Sequence, residues 1–206
     1  MRLRFRYSIS SFLIAIALVS ALLGKMSIEA RRQKAAVEWV RDHGGGVLYD
    51  WNEHHMEYWT PPPDHPYPKW LRELFGDDYF QTVTYVWVDS SNLTTLKNLP
   101  KIHTLILSDN GIVDLSPLES LKKLKVLDLN RNQIIDLAPL ARLPLLTSLH
   151  LEDNRITDIS PLLSLEYLTE AELKGNQVDK AQWESLNAKM KAATDRKKSS
   201  TGSDDD

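Results

Sequence analysis

The chain has no cysteine. This excludes disulfides, thiolate metal sites and a cysteine nucleophile, and it leaves the compartment open. Several motifs of well-known catalytic sites are also missing: there is no Gly-rich phosphate loop, no Gly-x-Ser-x-Gly elbow, no kinase signature and no His-Glu-x-x-His zinc helix. Positive charge is scarce beyond the front of the chain. Residues 1–34 hold Arg2, Arg4, Arg6, Lys25, Arg31, Arg32 and Lys34 against one acid, Glu29. The rest has 18 basic and 27 acidic residues, so the net charge of -3 hides a basic front and an acidic body. Phosphate contacts need a basic patch, and so acidic a body argues against nucleic acid as a partner.

Long uncharged runs are absent too, with one exception. Tyr7 to Gly24 carries no charge and is centred on the apolar stretch Phe12–Leu23. At a rise of about 1.5 Å per residue such a helix is roughly as long as the hydrocarbon layer is thick. Arg6 and Lys25 bracket it, where their long side chains can reach headgroups. The run reads as a retained membrane anchor over 7–28. Two other readings stand beside it: a leader cleaved at Val19-x-Ala21, and a buried core helix. Leu22 and Leu23 extend the apolar run past the cleavage point, and the Arg2-Leu3-Arg4-Phe5-Arg6 lead-in disfavours a core helix. Arginines before the helix predict a cytoplasmic N-terminus, with the remainder on the other side.

Four segments of equal length align without gaps, starting at Ile102, Leu124, Leu146 and Leu168. Leu107, Leu129, Leu151 and Leu173 share a column, as do Asn110, Asn132, Asn154 and Asn176. Ile112, Ile134, Ile156 and Val178 follow, then Leu115, Leu137 and Ile159, and Pro117, Pro139 and Pro161 mark one turn. A weaker first copy holds Val83, Val86, Val88 and Leu93 and is about three residues short. Each copy predicts one short strand, such as Leu105-Ile106-Leu107, with leucines inward. No copy can bury its leucines alone, so stacked copies must share a core and form a parallel sheet. The Asn column falls where the chain leaves the strand. There an amide that both donates and accepts can satisfy buried backbone groups. A proline before a leucine suits the start of a helical turn on the opposite side.

The pattern Leu-x-x-Leu-x-Leu-x-x-Asn-x-Ile-x-x-Leu resembles the leucine-rich repeats of bacterial internalin-type proteins, over about 83–179. The arginine-rich front, Gly44-Gly45-x-Val47-x-Tyr49-Asp50 and Trp70-Leu71-Arg72-x-Leu74-x-Gly76-Asp77-Asp78 are similar to membrane-anchored leucine-rich-repeat proteins of planctomycete bacteria. The expected class is an α/β solenoid with a concave parallel sheet, closed by an α/β cap and a C-terminal helix and preceded by one transmembrane helix. Its expected parts are a basic lead-in over 1–6, the membrane helix over 7–28 and an N-terminal cap over 29–82. Repeats over 83–179, a capping helix over 180–190 and a disordered tail over 191–206 complete it. Within the cap, Glu29 to Arg41 predicts a helix stopped by Gly44-Gly45-Gly46. Val47–Trp51 predicts a strand, Trp59–Lys69 a Pro-rich loop and Trp70–Phe75 a short helix. Asp179 with Gln182 predicts a reciprocal cap on the last helix, whose face of Trp183, Leu186 and Met190 covers the final leucines.

Glu53-His54-His55-Met56-Glu57 and His65 are the residues that could form a metal or enzyme site. Their spacing fits a polar loop better, so no metal, cofactor or catalysis is expected. His43 reads as a helix-end cation and Asp204-Asp205-Asp206 as a solvated tail. The outward strand positions point elsewhere. They form columns: Tyr85, Thr104, Val126, Ser148 and Glu170; Trp87, Ile106, Asp128, His150 and Glu172; Asp89, Ser108, Asn130, Glu152 and Lys174; Ser90, Asp109, Arg131, Asp153 and Gly175. The repeat does not require these side chains, so they are free to serve recognition, with Tyr85 and Trp87 as aromatic anchors. The expected function is a membrane-held module that binds a protein with a basic contact surface through this face, and no small-molecule substrate. The alternative is an envelope scaffold or self-association protein without a specific ligand. An ordinary solvated face, with Trp87 packed under the N-terminal cap, is the plain reading of the same columns.

Overall fold

The computed structural model describes residues 9–49 and 82–201. The candidate loop with His54, His55 and His65, the Pro-rich stretch, the helix expected over 70–75 and the terminal aspartates lie outside these residues.

Among the described residues, six strands form one sheet in chain order: β1 (Gly46–Tyr49), β2 (Val83–Trp87), β3 (Thr104–Ile106), β4 (Val126–Asp128), β5 (Ser148–His150) and β6 (Glu170–Glu172). β1 runs antiparallel to β2, and the other neighbours are parallel. Leu105, Leu127 and Leu149 stand opposite one another and point into the core. Burying each contributes on the order of 2 kcal/mol, and only the stacked neighbours make that burial possible. Val86 faces Leu105 across the first parallel pair, so the first coil is indeed three residues shorter than the others.

The chain returns through 3₁₀ turns at Thr94–Asn98, Ser116–Ser120, Ala138–Arg142 and Ser160–Ser164. Leu96, Leu118, Leu140 and Leu162 on these turns are fully buried. Pro117, Pro139 and Pro161 sit near the start of the last three turns, where a missing N–H costs nothing. A side chain just ahead of each turn caps its first amide. Asp114, Asp136 and Asp158 accept from Ser116, Ala138 and Ser160 at 2.9, 2.8 and 2.8 Å. Asn92 does the same for Thr94 at 3.2 Å.

At the front, helix α1 (Ile9–Asp42) is continuous across the boundary expected near residue 28. No proline interrupts it, and Lys25 and Glu29 pair at 3.9 Å over the junction. Its C-terminal part belongs to the solenoid: Ala36, Val37 and Val40 are buried in the shared core. Its earlier part leaves Ile14, Leu18, Val19, Met26 and Ile28 exposed. Among the described residues no helix is long and apolar enough to cross a membrane, so the span expected over 7–28 gains no support there. The described helix interleaves its apolar residues with Ser10, Ser11, Ser20 and Gly24, and Arg2 to Ser8 lie outside the described residues.

All three glycines after α1 have separate physical reasons. Gly44 is left-handed, at φ 71°. A Cβ on Gly45 would run into the Trp87 carbonyl, and one on Gly46 into the Trp87 indole. The chain therefore passes from α1 straight into β1, tight against β2.

At the other end, helix α2 spans Lys180–Thr201, well beyond the end expected at 190. The Lys/Ser-rich composition of this stretch reads as a tail. However, Ala193 is buried and Arg196 lies 4.0 Å from Glu166, so packing on the last coil orders it. Asp179 Oδ1 accepts from the Ala181 amide at 2.7 Å, but Gln182 does not complete a reciprocal cap. Its Oε1 accepts from the Ile159 amide at 3.0 Å. Lys189 Nζ donates to the carbonyls of Leu162 and Leu165. Burial pushes this ammonium below its ordinary pKa. Side chains of α2 thus satisfy backbone groups of the last coil.

Candidate functional site

The outward columns lie in register. Tyr85, Thr104, Val126, Ser148 and Glu170 pair in sequence, and so do Trp87, Ile106, Asp128, His150 and Glu172. Parallel bonding continues beyond the strands, with Asp109 donating to Asn130, Arg131 to Glu152 and Asp153 to Lys174. Ser108, Asn130 and Glu152 therefore form a third row, and Asp109, Arg131 and Asp153 a fourth. The structure brings eleven of the twelve candidate residues into these rows; the Asp89 amide instead donates to the His43 carbonyl at 3.2 Å, outside the ladder.

Beneath the rim runs the asparagine ladder. Asn132 Nδ2 donates to the carbonyls of Leu107, Leu129 and Asn130 at 2.9, 2.9 and 3.1 Å. Its Oδ1 accepts from the amides of Asn110 and Ile112 at 3.1 and 2.9 Å. Asn154 and Asn176 repeat the arrangement one and two coils on. Asn110 Nδ2 donates to Val88 and Ser108, but its buried Oδ1 has no partner among the described residues. The shortened first coil supplies no equivalent amide.

At the N-terminal end, Tyr85 and Trp87 meet edge to face with ring centroids 5.9 Å apart. Trp87 lies over Gly46 and is 42% exposed, so the backbone at Gly46 supports one side of its ring. Such a ring is held in place and remains available.

The charged rows are less free than their spacing suggests. Arg131 binds Asp109 through two nitrogens, with Nε at 2.7 and 2.9 Å and Nη2 at 2.6 Å. This guanidinium holds the Asp109 carboxyl below its ordinary pKa. Asp128 Oδ1 accepts from the Asn130 amide at 2.9 Å, and Asn130 Oδ1 accepts from the Glu152 amide at 2.7 Å. Asp109, Arg131 and Asp153 all have positive φ, of 62°, 54° and 54°, and Gly175 continues the column at 78°. A backbone demand thus acts on the fourth row. The glycine in it was the available signal, since short polar residues and glycine share tolerance for that conformation.

Further along, His150 Nδ1 lies 2.6 Å from Glu172 Oε2, and its Nε2 lies 3.1 Å from Ser148 Oγ. That order matches a nucleophile, a base and an orienting acid. The Ser148 hydroxyl, however, donates to Glu170 Oε2 at 2.8 Å, so its proton is directed away from His150. The neighbouring strand amides are used in the parallel ladder. This arrangement works as a polar tie between β5 and β6. Among the described residues, no cluster of three or more His, Cys, Asp or Glu could hold a metal ion.

One column escaped the sequence reading: the capping aspartates Asp114, Asp136 and Asp158, which recur in three of the four aligned segments. Recurrence alone could have found them.

Stacked coils of this kind define a leucine-rich-repeat solenoid. The pattern of the family described as Leucine Rich repeats (2 copies) matches residues 100–142. Among solved structures, the chain is similar to internalin C2 of Listeria monocytogenes, with 44% identity and a TM-score of 0.44 over 47% of this chain and 43% of that one. It is similar to the internalin inlF of the same organism, with 32% identity and a TM-score of 0.37 over 47% and 35%. A leucine-rich-repeat protein of Leptospira interrogans gives 26% identity and a TM-score of 0.43 over 48% and 26%. The match thus spans less than half the length of each of these proteins. No curated protein matches the sequence.

Proposed function

We propose that this chain is a membrane-held interaction module that binds another protein through the open face of its repeat sheet. Leucine-rich-repeat proteins commonly mediate protein–protein contacts. The observation that carries the reading here is the Tyr85–Trp87 pair: a large indole supported from below by Gly46 and left exposed at the end of the aligned rows. Aromatic residues held in this way are typical energetic anchors of interfaces. Glu152, Asp153, Glu170 and Glu172 make the later coils acidic and favour a partner that is basic at the contact. The cross-coil pairing of Asp109 with Arg131 leaves fewer free acids to speed encounter than a count of charges would give.

Membrane attachment through residues 7–28 belongs to the same proposal. Its support is the exposed apolar residues Ile14, Leu18, Val19, Met26 and Ile28 of α1 and the arginine lead-in, with the repeats on the non-cytoplasmic side. Crosslinking from membranes tests the whole reading. One dominant heterologous partner, lost in Trp87→Ala and retained in Lys123→Glu on the opposite side, is the expected result. Self-crosslinks alone would favour the scaffold role, and loss of the partner only in Lys123→Glu would move binding to the other side.

A further inference from the structure

One basic turn of α1 behaves differently from the cations of the repeats. Arg131, Arg142 and Arg196 lie 2.6, 3.4 and 4.0 Å from a carboxylate, and Lys122 and Lys189 donate to backbone carbonyls. Arg31, Arg32 and Lys34 are all exposed, and none of them makes an ion pair or a side-chain hydrogen bond among the described residues. Residues 30–37 hold no acid. Glu29, just before them, pairs with Lys25 at 3.9 Å, and Glu38 comes one turn later, nearer the repeats. Three free cations within four residues stand out on a chain of net charge -3.

The fold does not need these charges. At about 100° per residue, Arg31 stands half a turn of the helix from Val40, which is buried in the shared core. Ala35, one turn after Arg31 on the same side, is exposed as well. Their place along the axis points to what they meet. The uncharged run ends at Gly24, and Lys25 marks its boundary. Arg31 to Lys34 follow roughly 9 to 14 Å further along the helix. A headgroup layer is about 5–8 Å thick. The Cα–Cβ bonds of an α-helix tilt toward its N-terminus, so these side chains lean back toward the apolar segment. With the helix upright, even Lys34 comes within about one Debye length of the headgroup surface.

We propose that Arg31, Arg32 and Lys34 dock on anionic lipid headgroups of the membrane that holds residues 7–28. The inference rests on the membrane attachment proposed above and adds a requirement for lipid charge to it. A phosphate oxygen matches the fork of a guanidinium, and basic residues beside a membrane-held helix are drawn to anionic lipid. The acidic body of the chain is repelled by the same surface, which leaves this turn as the place where the two can meet. Contact requires anionic lipid only in the leaflet next to Lys25, whichever side of the membrane that leaflet faces.

The test uses the full chain reconstituted into vesicles of phosphatidylcholine, or of an equal mixture with phosphatidylglycerol. Since the chain lacks cysteine, Ala35→Cys gives a single site for a nitroxide label. Its collisions with a neutral, water-soluble nickel chelate report how far the turn is exposed to water. They are expected to fall about twofold in the anionic vesicles relative to the neutral ones. The difference should vanish at high salt, and also in the triple variant Arg31→Gln, Arg32→Gln, Lys34→Gln. The salt arm needs no change at these three positions, so it holds whether or not the triple variant folds. Equal collision rates in the two kinds of vesicle, or a difference that survives high salt, overturns the proposal. Shielding with spin–spin broadening in both kinds of vesicle also overturns it, because a second copy is then the occupant. Carbonate washing separates the two readings. A chain extracted from both vesicles sinks the anchor together with this contact, whereas a retained chain without charge dependence sinks this contact alone.

Discussion

Asn132 receives amides from the coil before it and donates to carbonyls of both coils, whereas Asn110 only donates. The two asparagines occupy the same column, so comparing them isolates the value of the accepting oxygen. Asn132→Ala is expected to cost about 1–3 kcal/mol, because buried amides and carbonyls lose their partners. Asn110→Ala should cost less, since no described amide is orphaned with it. Urea unfolding of the two variants measures the difference, and a wild-type midpoint for Asn132→Ala would contradict the ladder. Gly46→Ala makes a contrasting case. Its added methyl meets the Trp87 ring, so the indole must move. A changed Trp fluorescence spectrum, with a lower melting temperature, is expected.

The capping aspartates act on whole turns. Hydrogen bonds from Ser116 and Ser160 hold the carboxyls of Asp114 and Asp158 below their ordinary pKa of 3.8. A carboxyl depressed in the folded state contributes stability that is fully present above its unfolded value, and falling pH through the folded value removes it. The contribution is therefore complete at neutral pH and disappears below about 3.8. The double variant Asp114→Asn, Asp158→Asn keeps an accepting oxygen but cannot titrate. Its melting temperature should fall less steeply than that of the wild type as acid is added, and parallel curves would show that these caps do not couple to protons. At the other end, truncation after residue 190 removes Ala193 and Arg196 from the last coil. It should lower the melting temperature and expose the surface around Tyr167, to be read as increased binding of a hydrophobic dye.

For the whole molecule, the features legible in the sequence were those that backbone geometry repeats. A leucine that must point inward once in every coil leaves no freedom, and the same holds for the asparagines. The rows of the open face were legible because parallel strands stack equivalent positions. What those rows do with their charges was not legible. The Asp109–Arg131 pair joins residues a full coil apart, and the Ser148–Glu170 contact depends on rotamers that no periodicity encodes. The length of α2 was hidden for a related reason: lysines, alanines and serines become an ordered helix only when a coil edge is available to dock on. Recognition is expected to follow the supported aromatic. Once a partner is known, Trp87→Ala should speed its dissociation by about tenfold or more, as loss of an interface anchor does, with little change in association. The pair Asp128→Lys and Glu152→Lys should slow association and reduce its dependence on salt. Measured by surface plasmon resonance, equal rates for all of these proteins would remove the open face from the interaction.

One mechanical consequence follows from the continuity of α1. At about 1.5 Å per residue, its 34 helical residues form a shaft roughly 50 Å long. Its far end is locked into the first coil by Ala36, Val37 and Val40, and no loop interrupts it to act as a joint. A domain on a loose tether samples every orientation, but this one is carried as a blade on a handle. Whatever grips the exposed first half of the helix also sets the angle of the repeats, so tilt or rotation at the handle swings the blade with it. An insertion of one residue near Gly24 would then rotate the repeat face by about 100° around the shaft without touching a single residue of that face.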